Sequence, residues 1–217
     1  MNLIAVGIPE WFTISGIAIE IVFALVTLLI ALYSYKIYKI TNQEQTGLFS
    51  IAFASISLSY LIQAMMNSFI VLGARNALDA IAPLVFPLSV IAVSLHVVLM
   101  LGGLALLAFV MLKEKNPEVF VLFLFLSFAG LLATKSLILT FYLLSSIYLV
   151  FITFRHYCRH KKQGTTNSLL VYLGFAFIFI GNFQLALSMF LGIFFLLGHI
   201  TILIGYFLLL ASLLRVK

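Results

Sequence analysis

The feature that most limits the fold of this chain is a series of seven apolar runs separated by short connections. Most runs meet the length of about 20 helical residues, with about 17 to 25 usual, that crosses the hydrocarbon core of a bilayer. An open sheet is excluded because its edge groups would find no water in lipid, and the runs lack the alternation of barrel strands. The runs are residues 11–33, 48–72, 83–112, 119–133, 136–154, 169–187 and 190–214.

The composition supports the same class of fold. Hydrophobic residues make up 65% of the chain and charged residues 8%, which leaves too little polar surface for a water-soluble globule. The sequence therefore predicts an all-α polytopic membrane protein, with seven transmembrane helices in one transmembrane domain over residues 1–217. Only Thr134 and Lys135 lie between the fourth run and the fifth, which begins at Ser136. We place a break there because one helix over both runs would be far too long to span once.

The basic residues indicate how the chain is oriented. They lie in the connections rather than over a domain surface, so the predicted partner is the lipid bilayer and not a nucleic acid. Ten of the twelve lysine and arginine residues follow the first, third, fifth and seventh runs. Only Arg75 and Lys135 lie in connections at the opposite ends of the runs. The positive-inside rule then places the N-terminus outside and the C-terminus in the cytoplasm of a multi-pass cell-membrane protein. Among these cations, His156 and His160 are interpreted as part of a headgroup anchor rather than as a metal site.

Parts of the sequence recur, which predicts an internal repeat. Residues 96–102, HVVLMLG, return as residues 199–205, HITILIG, and residues 34–38 resemble residues 153–157. Gln63 and Asn67 match Gln184 and Ser188 with the same spacing of four, which places two side chains on one helix face. We therefore predict two three-helix units, residues 1–112 and 135–217, joined by a linker helix over residues 117–134. The alternative is that leucine-rich helices align with one another by chance.

This arrangement of three, one and three helices with an outside N-terminus resembles that of the SWEET and PQ-loop transporters. The resemblance implies two parallel repeats about an axis normal to the membrane. It does not extend to the proline–glutamine signature of those families, because no proline lies in the middle of a run. Residues 33–41, with Phe49, Phe53 and Tyr60, are also similar to prokaryotic seven-helix membrane proteins, a similarity that implies no function.

Polar residues inside the runs are the candidate site. An ionised carboxylate in lipid costs about 3 kcal/mol on insertion scales, so Glu20 should face the bundle and pair with His96 or His199, or else be protonated. A glutamate–histidine pair could bind a cation or relay a proton. The simpler interpretation is that these residues only join helices by hydrogen bonds. Seven residues fall between the predicted outer interface and the midplane, where they could line an outward-facing site: Glu20, Gln63, Asn67, His96, Asn182, Gln184 and His199.

Three functions remain open on the sequence. The first is a transporter of a small solute or ion, with proton coupling as one form of it. The second is a seven-helix sensor or assembly subunit that acts through a partner protein or as a homo-oligomer. The third is a redox protein in which His96 and His199 are axial ligands of a b-type haem. No other cofactor or metal is predicted. An enzyme is not predicted either, because hydrolase and phosphate-loop motifs are absent and the one aspartate, Asp79, lies in a connection.

Overall fold

The computed structural model describes the backbone of residues 10–75, 82–113 and 116–215, and the side chains of residues 14–71, 87–113 and 116–215. These residues form seven α-helices and no strand, so the predicted all-α fold is confirmed. The helices are α1 (Glu10–Thr41), α2 (Glu44–Arg75), α3 (Ala82–Leu112), α4 (Pro117–Leu132), α5 (Leu137–Gln163), α6 (Thr166–Leu187) and α7 (Ile193–Leu214).

The helix lengths are those of a multi-pass membrane protein. Six of the described helices are long and apolar enough to cross a bilayer. Helix α4 has only 16 residues, about 24 Å at 1.5 Å per residue, and is shorter than the about 30 Å of a typical hydrocarbon core. The predicted break is confirmed, since α4 ends at Leu132 and α5 begins at Leu137.

The helices that precede a basic connection extend beyond the apolar runs. Helix α1 continues to Thr41 and α5 continues to Gln163, because lysine, arginine and tyrosine side chains can keep their polar ends in water while the backbone stays helical. Asn42, Lys113 and Gly164 follow α1, α3 and α5 with φ of 50°, 57° and 62°. This left-handed conformation ends each helix.

Six of the described helices form a closed ring in the order α1, α2, α3, α5, α6, α7, and α7 packs against α1. Helix α4 lies outside this ring, against α3 and α5. Its Ser127 and the backbone carbonyl of Phe123 both hydrogen-bond to the hydroxyl of Tyr148 on α5, at 2.6 and 2.9 Å. The fourth helix is therefore attached to the bundle from the side.

Neighbouring odd-numbered helices run parallel. Arg155 near the end of α5 donates to the carbonyl oxygen of Met111 at the end of α3, at 3.1 Å. Phe23 of α1 contacts Tyr206 of α7, and the earlier Gly16 lies beside the earlier Phe195. Because α3 and α5 are parallel, α4 must return the chain across the bundle. The carboxyl ends of the odd helices share one end, here called the basic end, which carries Lys36, Lys39, Lys113, Arg155 and Arg159.

Two kinds of contact hold adjacent helices together. Between α1 and α2, Ser50 and Ser57 donate to the carbonyl oxygens of Ala31 and Ala24, at 2.8 and 2.7 Å. Between α6 and α7 the backbones approach so closely that a Cβ atom at Gly181 would lie 2.7 Å from the carbonyl oxygen of Gly198. Hydroxyl-to-carbonyl bonds and small residues are the usual means of joining helices in lipid, where burial of apolar side chains gives little preference for protein over lipid.

Candidate functional site

The carboxyl group of Glu20 is the most unusual polar group in the spans. Its side chain on α1 is 8% exposed. Nδ2 of Asn67 on α2 donates to both carboxyl oxygens, each at 2.9 Å. Within the described part of the chain, Glu20 has no ion pair with a basic residue. The predicted partner, His96 or His199, is therefore wrong, and an uncharged amide takes its place.

His96 is bonded to α2 rather than to Glu20. Its Nδ1 lies 2.8 Å from Oγ of Ser59 and 3.1 Å from the Ser59 carbonyl oxygen. The Ser59 hydroxyl in turn donates to the carbonyl oxygen of His96, at 3.1 Å. A carbonyl oxygen can only accept, so the bond to the Ser59 carbonyl requires a hydrogen on Nδ1 of His96.

His199 uses the same ring nitrogen but a different partner. Its Nδ1 donates to the carbonyl oxygen of Phe195, one turn earlier on α7, at 2.7 Å. The imidazole ring is stacked on Phe23 of α1, with 5.8 Å between the ring centres and 2° between their planes. The side chain is 6% exposed. His199 therefore joins α7 to α1 by ring packing, whereas His96 joins α3 to α2 by hydrogen bonds.

Aromatic rings fill the centre of the ring of helices between the two histidines. The hydroxyls of Tyr60 on α2 and Tyr206 on α7 lie 3.2 Å apart, and Phe23 packs against both rings. Phe141 of α5 contacts the imidazole of His96, with 5.5 Å between the ring centres. We call Phe23, Tyr60, Phe141 and Tyr206 the aromatic layer. On α1 this layer begins at Phe23, about one turn from Glu20 toward the basic end.

A b-type haem does not fit between His96 and His199. The path from one imidazole to the other runs through the rings of Tyr60 and Phe23, with ring centres 6.2, 5.0 and 5.8 Å apart in succession. Phe23 is 1% exposed and Tyr60 is 8% exposed. A porphyrin needs an open slot where these buried side chains stand.

Asn182 joins two helices of the second half. Its Nδ2 on α6 donates to the carbonyl oxygen of Tyr142 and to Oγ of Ser146, both on α5, at 3.0 and 2.8 Å. This matches the simpler interpretation of the residue as an interhelical hydrogen-bond donor.

The two predicted glutamines have unsatisfied acceptors. Oε1 of Gln63 and Oε1 of Gln184 are buried, and neither accepts a hydrogen bond from any residue that the structure describes. A buried acceptor without a donor costs about 1–3 kcal/mol. Gln63 lies four residues before Asn67 on α2, so their side chains share one helix face.

The predicted site residues therefore come together only in part. Hydrogen bonds join Glu20 to Asn67 between α1 and α2, and Gln63 lies one helical turn from Asn67 on the same face of α2. We call these three residues the Glu20 group. The other predicted residues contact tyrosines: His96 packs against Tyr60, and Asn182 donates to the carbonyl oxygen of Tyr142. No hydrogen bond connects the Gln184 side chain to the group in the described part of the chain.

Several residues near the site were not predicted as site residues. Ser59, Tyr60, Tyr142 and Tyr206 are residue types that are common in membrane helices, and no motif marks them. One signal was present, since Ser59, Gln63 and Asn67 recur every four residues on α2 and so form one polar stripe.

A surface cavity lies beside the Glu20 group. It has a volume of about 270 Å³ and is lined by Ile21, Leu61, Ala64, Met65, Ser68 and Phe69. Ile21 and Ser68 immediately follow Glu20 and Asn67 in the chain. Leu61, Met65 and Phe69 are exposed, so the cavity opens toward the bilayer between α1 and α2.

The headgroup interpretation is wrong for His156. This side chain is 5% exposed and stacks on Phe175 of α6, with 4.8 Å between the ring centres. Its Nε2 is buried without a hydrogen-bond partner among the described residues. His160 instead reaches Oγ of Ser168, at 2.9 Å. Asp79 lies outside the described residues.

Comparisons with protein-family models, with curated proteins and with solved structures find no match.

Proposed function

We propose that the protein is a small transporter in which Glu20 binds and releases a proton as a solute or ion crosses the membrane. The observation that carries this proposal is a buried carboxyl group that, among the residues the structure describes, is hydrogen-bonded only to the neutral amide of Asn67. Ionisable groups inside transmembrane segments are costly and commonly mark proton or ion pathways. A structural role alone would be filled as well by an uncharged side chain.

The arrangement of the helices supports the same proposal. The order of the ring is unchanged when α1, α2 and α3 exchange places with α5, α6 and α7. Two repeated units that rock against each other around a site between them are a common basis of alternating access. In this proposal Glu20 lies on the outer side of the aromatic layer, and the N-terminus lies outside the cell. The aromatic layer is then the closed inner barrier.

Proton movement in reconstituted vesicles tests the proposal. Vesicles that hold a pH-sensitive dye would be given a membrane potential or a gradient of sodium, potassium, a sugar or an amino acid. We expect the wild type to move protons under at least one of these conditions and Glu20→Gln to match protein-free vesicles. Glu118→Gln is the matched control, because Glu118 is an exposed carboxyl at the start of α4. Equal rates in the wild type and Glu20→Gln would contradict the proposal.

The second candidate is a seven-helix sensor or assembly subunit. The filled centre favours it, since Phe23 and Tyr206 of the aromatic layer are only 1% and 2% exposed and would have to move before a solute could pass. A sensor should move no solute in vesicles and should co-purify from native membranes with one defined output protein. The vesicle experiment therefore separates the two candidates.

A further inference from the structure

We propose that the Glu20 group binds a monovalent cation between the carboxylate of Glu20 and Oε1 of Gln63. This inference rests on the proposed function and names the class of ion that would move through the site. It starts from the buried amide oxygen of Gln63, which accepts no hydrogen bond from the described residues.

The oxygens of the group suit a hard cation. Each carboxyl oxygen of Glu20 accepts one hydrogen bond, from Asn67, and an ionised carboxylate has about four acceptor positions. Acceptor capacity therefore remains on Glu20 as well as on Gln63. Gln63 lies one helical turn from Asn67 on the same face of α2. Asn67 in turn is hydrogen-bonded to Glu20. Carboxylate and amide carbonyl oxygens together are typical ligands of hard metal ions.

The charge of the site selects a monovalent ion. Glu20 is the one acidic residue of the group, so a single positive charge would make the loaded site neutral. A divalent ion would leave an uncompensated charge in a region of low dielectric, where unpaired charges are costly. The same carboxylate cannot bind the cation and a proton at once, so the two compete. Such competition is the simplest way to couple a cation to a proton.

Thermal unfolding of the detergent-purified protein tests this site. We expect NaCl or KCl to raise the Tm of the wild type above its value in choline chloride of equal ionic strength, and the increase to saturate. Gln63→Leu should lose the cation-dependent increase. Gln184→Leu is the matched control and should keep it, because Gln184 has the same buried, unsatisfied oxygen but lies outside the Glu20 group.

A second variant keeps the test decisive if Gln63→Leu does not fold. Gln63→Glu supplies a second carboxylate of similar size, so CaCl₂ should raise its Tm while the Tm of the wild type does not respond to calcium. No cation-dependent increase in the wild type, or an equal increase in Gln63→Leu, would overturn the inference. If the cation does not raise the Tm but Glu20-dependent proton movement is observed, the cation site is contradicted and the transporter proposal stands. If the cation raises the Tm as expected but no transport is observed, the cation site stands and the transporter proposal is contradicted.

Discussion

Asn67 on α2 donates from one nitrogen to both carboxyl oxygens of Glu20 on α1, at 2.9 Å each. This contact crosses the α1–α2 interface near the end opposite the basic end. It is also the contact on which the proposed proton and cation chemistry depends.

Removal of the Asn67 amide should destabilise the protein. Asn67→Ala leaves a buried carboxyl group without a donor, and hydrogen bonds to charged groups are worth about 1.5–3 kcal/mol. We expect a loss of that size in the free energy of unfolding, measured by thermal or denaturant unfolding in detergent.

The neighbouring serine provides the control for this experiment. Ser68→Ala removes only a bond within α2, from Oγ to the carbonyl oxygen of Ala64, and should change stability little. The double variant Glu20→Leu, Asn67→Leu should regain most of the lost stability, since both polar partners are then gone. Additive losses in the double variant would show that the two side chains are not coupled.

The number of helices could be predicted from the sequence, but the partner of Glu20 could not. Hydrocarbon thickness sets the length of an apolar run, so seven runs gave seven helices and the break at residues 134–136. The partner of Glu20 depends on how α1 and α2 are rotated about their axes. The polar stripe indicates one face of α2, but α1 is apolar on all sides around Glu20 and carries no periodicity from which its rotation can be read.

The two histidines illustrate the same difficulty. A Cβ at Gly103 would meet Ile56 and the Ala52 carbonyl oxygen, and one at Gly205 would meet Ile178 and the Gly174 carbonyl oxygen. If these matching contacts define the repeat, His96 falls opposite Gly198 and not opposite His199. One residue is about 100° around a helix, which accounts for the different partners of the histidines. The repeat itself stays a prediction.

Adjacent glycines on α3 should respond in opposite ways to the same substitution. A Cβ at Gly103 would lie 2.7 Å from Ile56 Cγ1 and 2.8 Å from the carbonyl oxygen of Ala52, whereas a Cβ at Gly102 would meet nothing within 4 Å. Gly103→Ala should therefore cost about 1–3 kcal/mol through overpacking. Gly102→Ala should be neutral or stabilise by up to about 1 kcal/mol, because alanine favours the helix. Thermal unfolding of both variants would contradict this packing if their Tm values changed alike.

Cysteine labelling should establish the orientation and the crossing of α4. Cys158 is the one natural cysteine and lies near the basic end of α5. A membrane-impermeant maleimide should label it only after the cells are permeabilised. In a Cys158→Ser background, Thr134→Cys in the α4–α5 connection should react in intact cells.

The two labelling results test separate statements. The opposite pattern at both positions would reverse the predicted orientation but keep α4 as a crossing helix. Labelling of both positions from the same side would contradict the crossing of α4, which follows from the parallel course of α3 and α5.

Phenylalanine substitutions should separate the roles of the two histidines. His96→Phe keeps an aromatic ring but loses the bonds to Ser59 that join α3 to α2, so we expect a loss of about 0.5–1.5 kcal/mol per bond. His199→Phe keeps the stacking on Phe23 and loses only a bond within α7, so its Tm should stay near that of the wild type. Ser59→Ala should reproduce most of the His96→Phe loss and add little to it in the double variant. A larger loss of stability in His199→Phe than in His96→Phe would contradict this assignment. It would mean that Nε2 of His199 has a partner essential for the fold, and this histidine would again be a candidate ligand-binding residue.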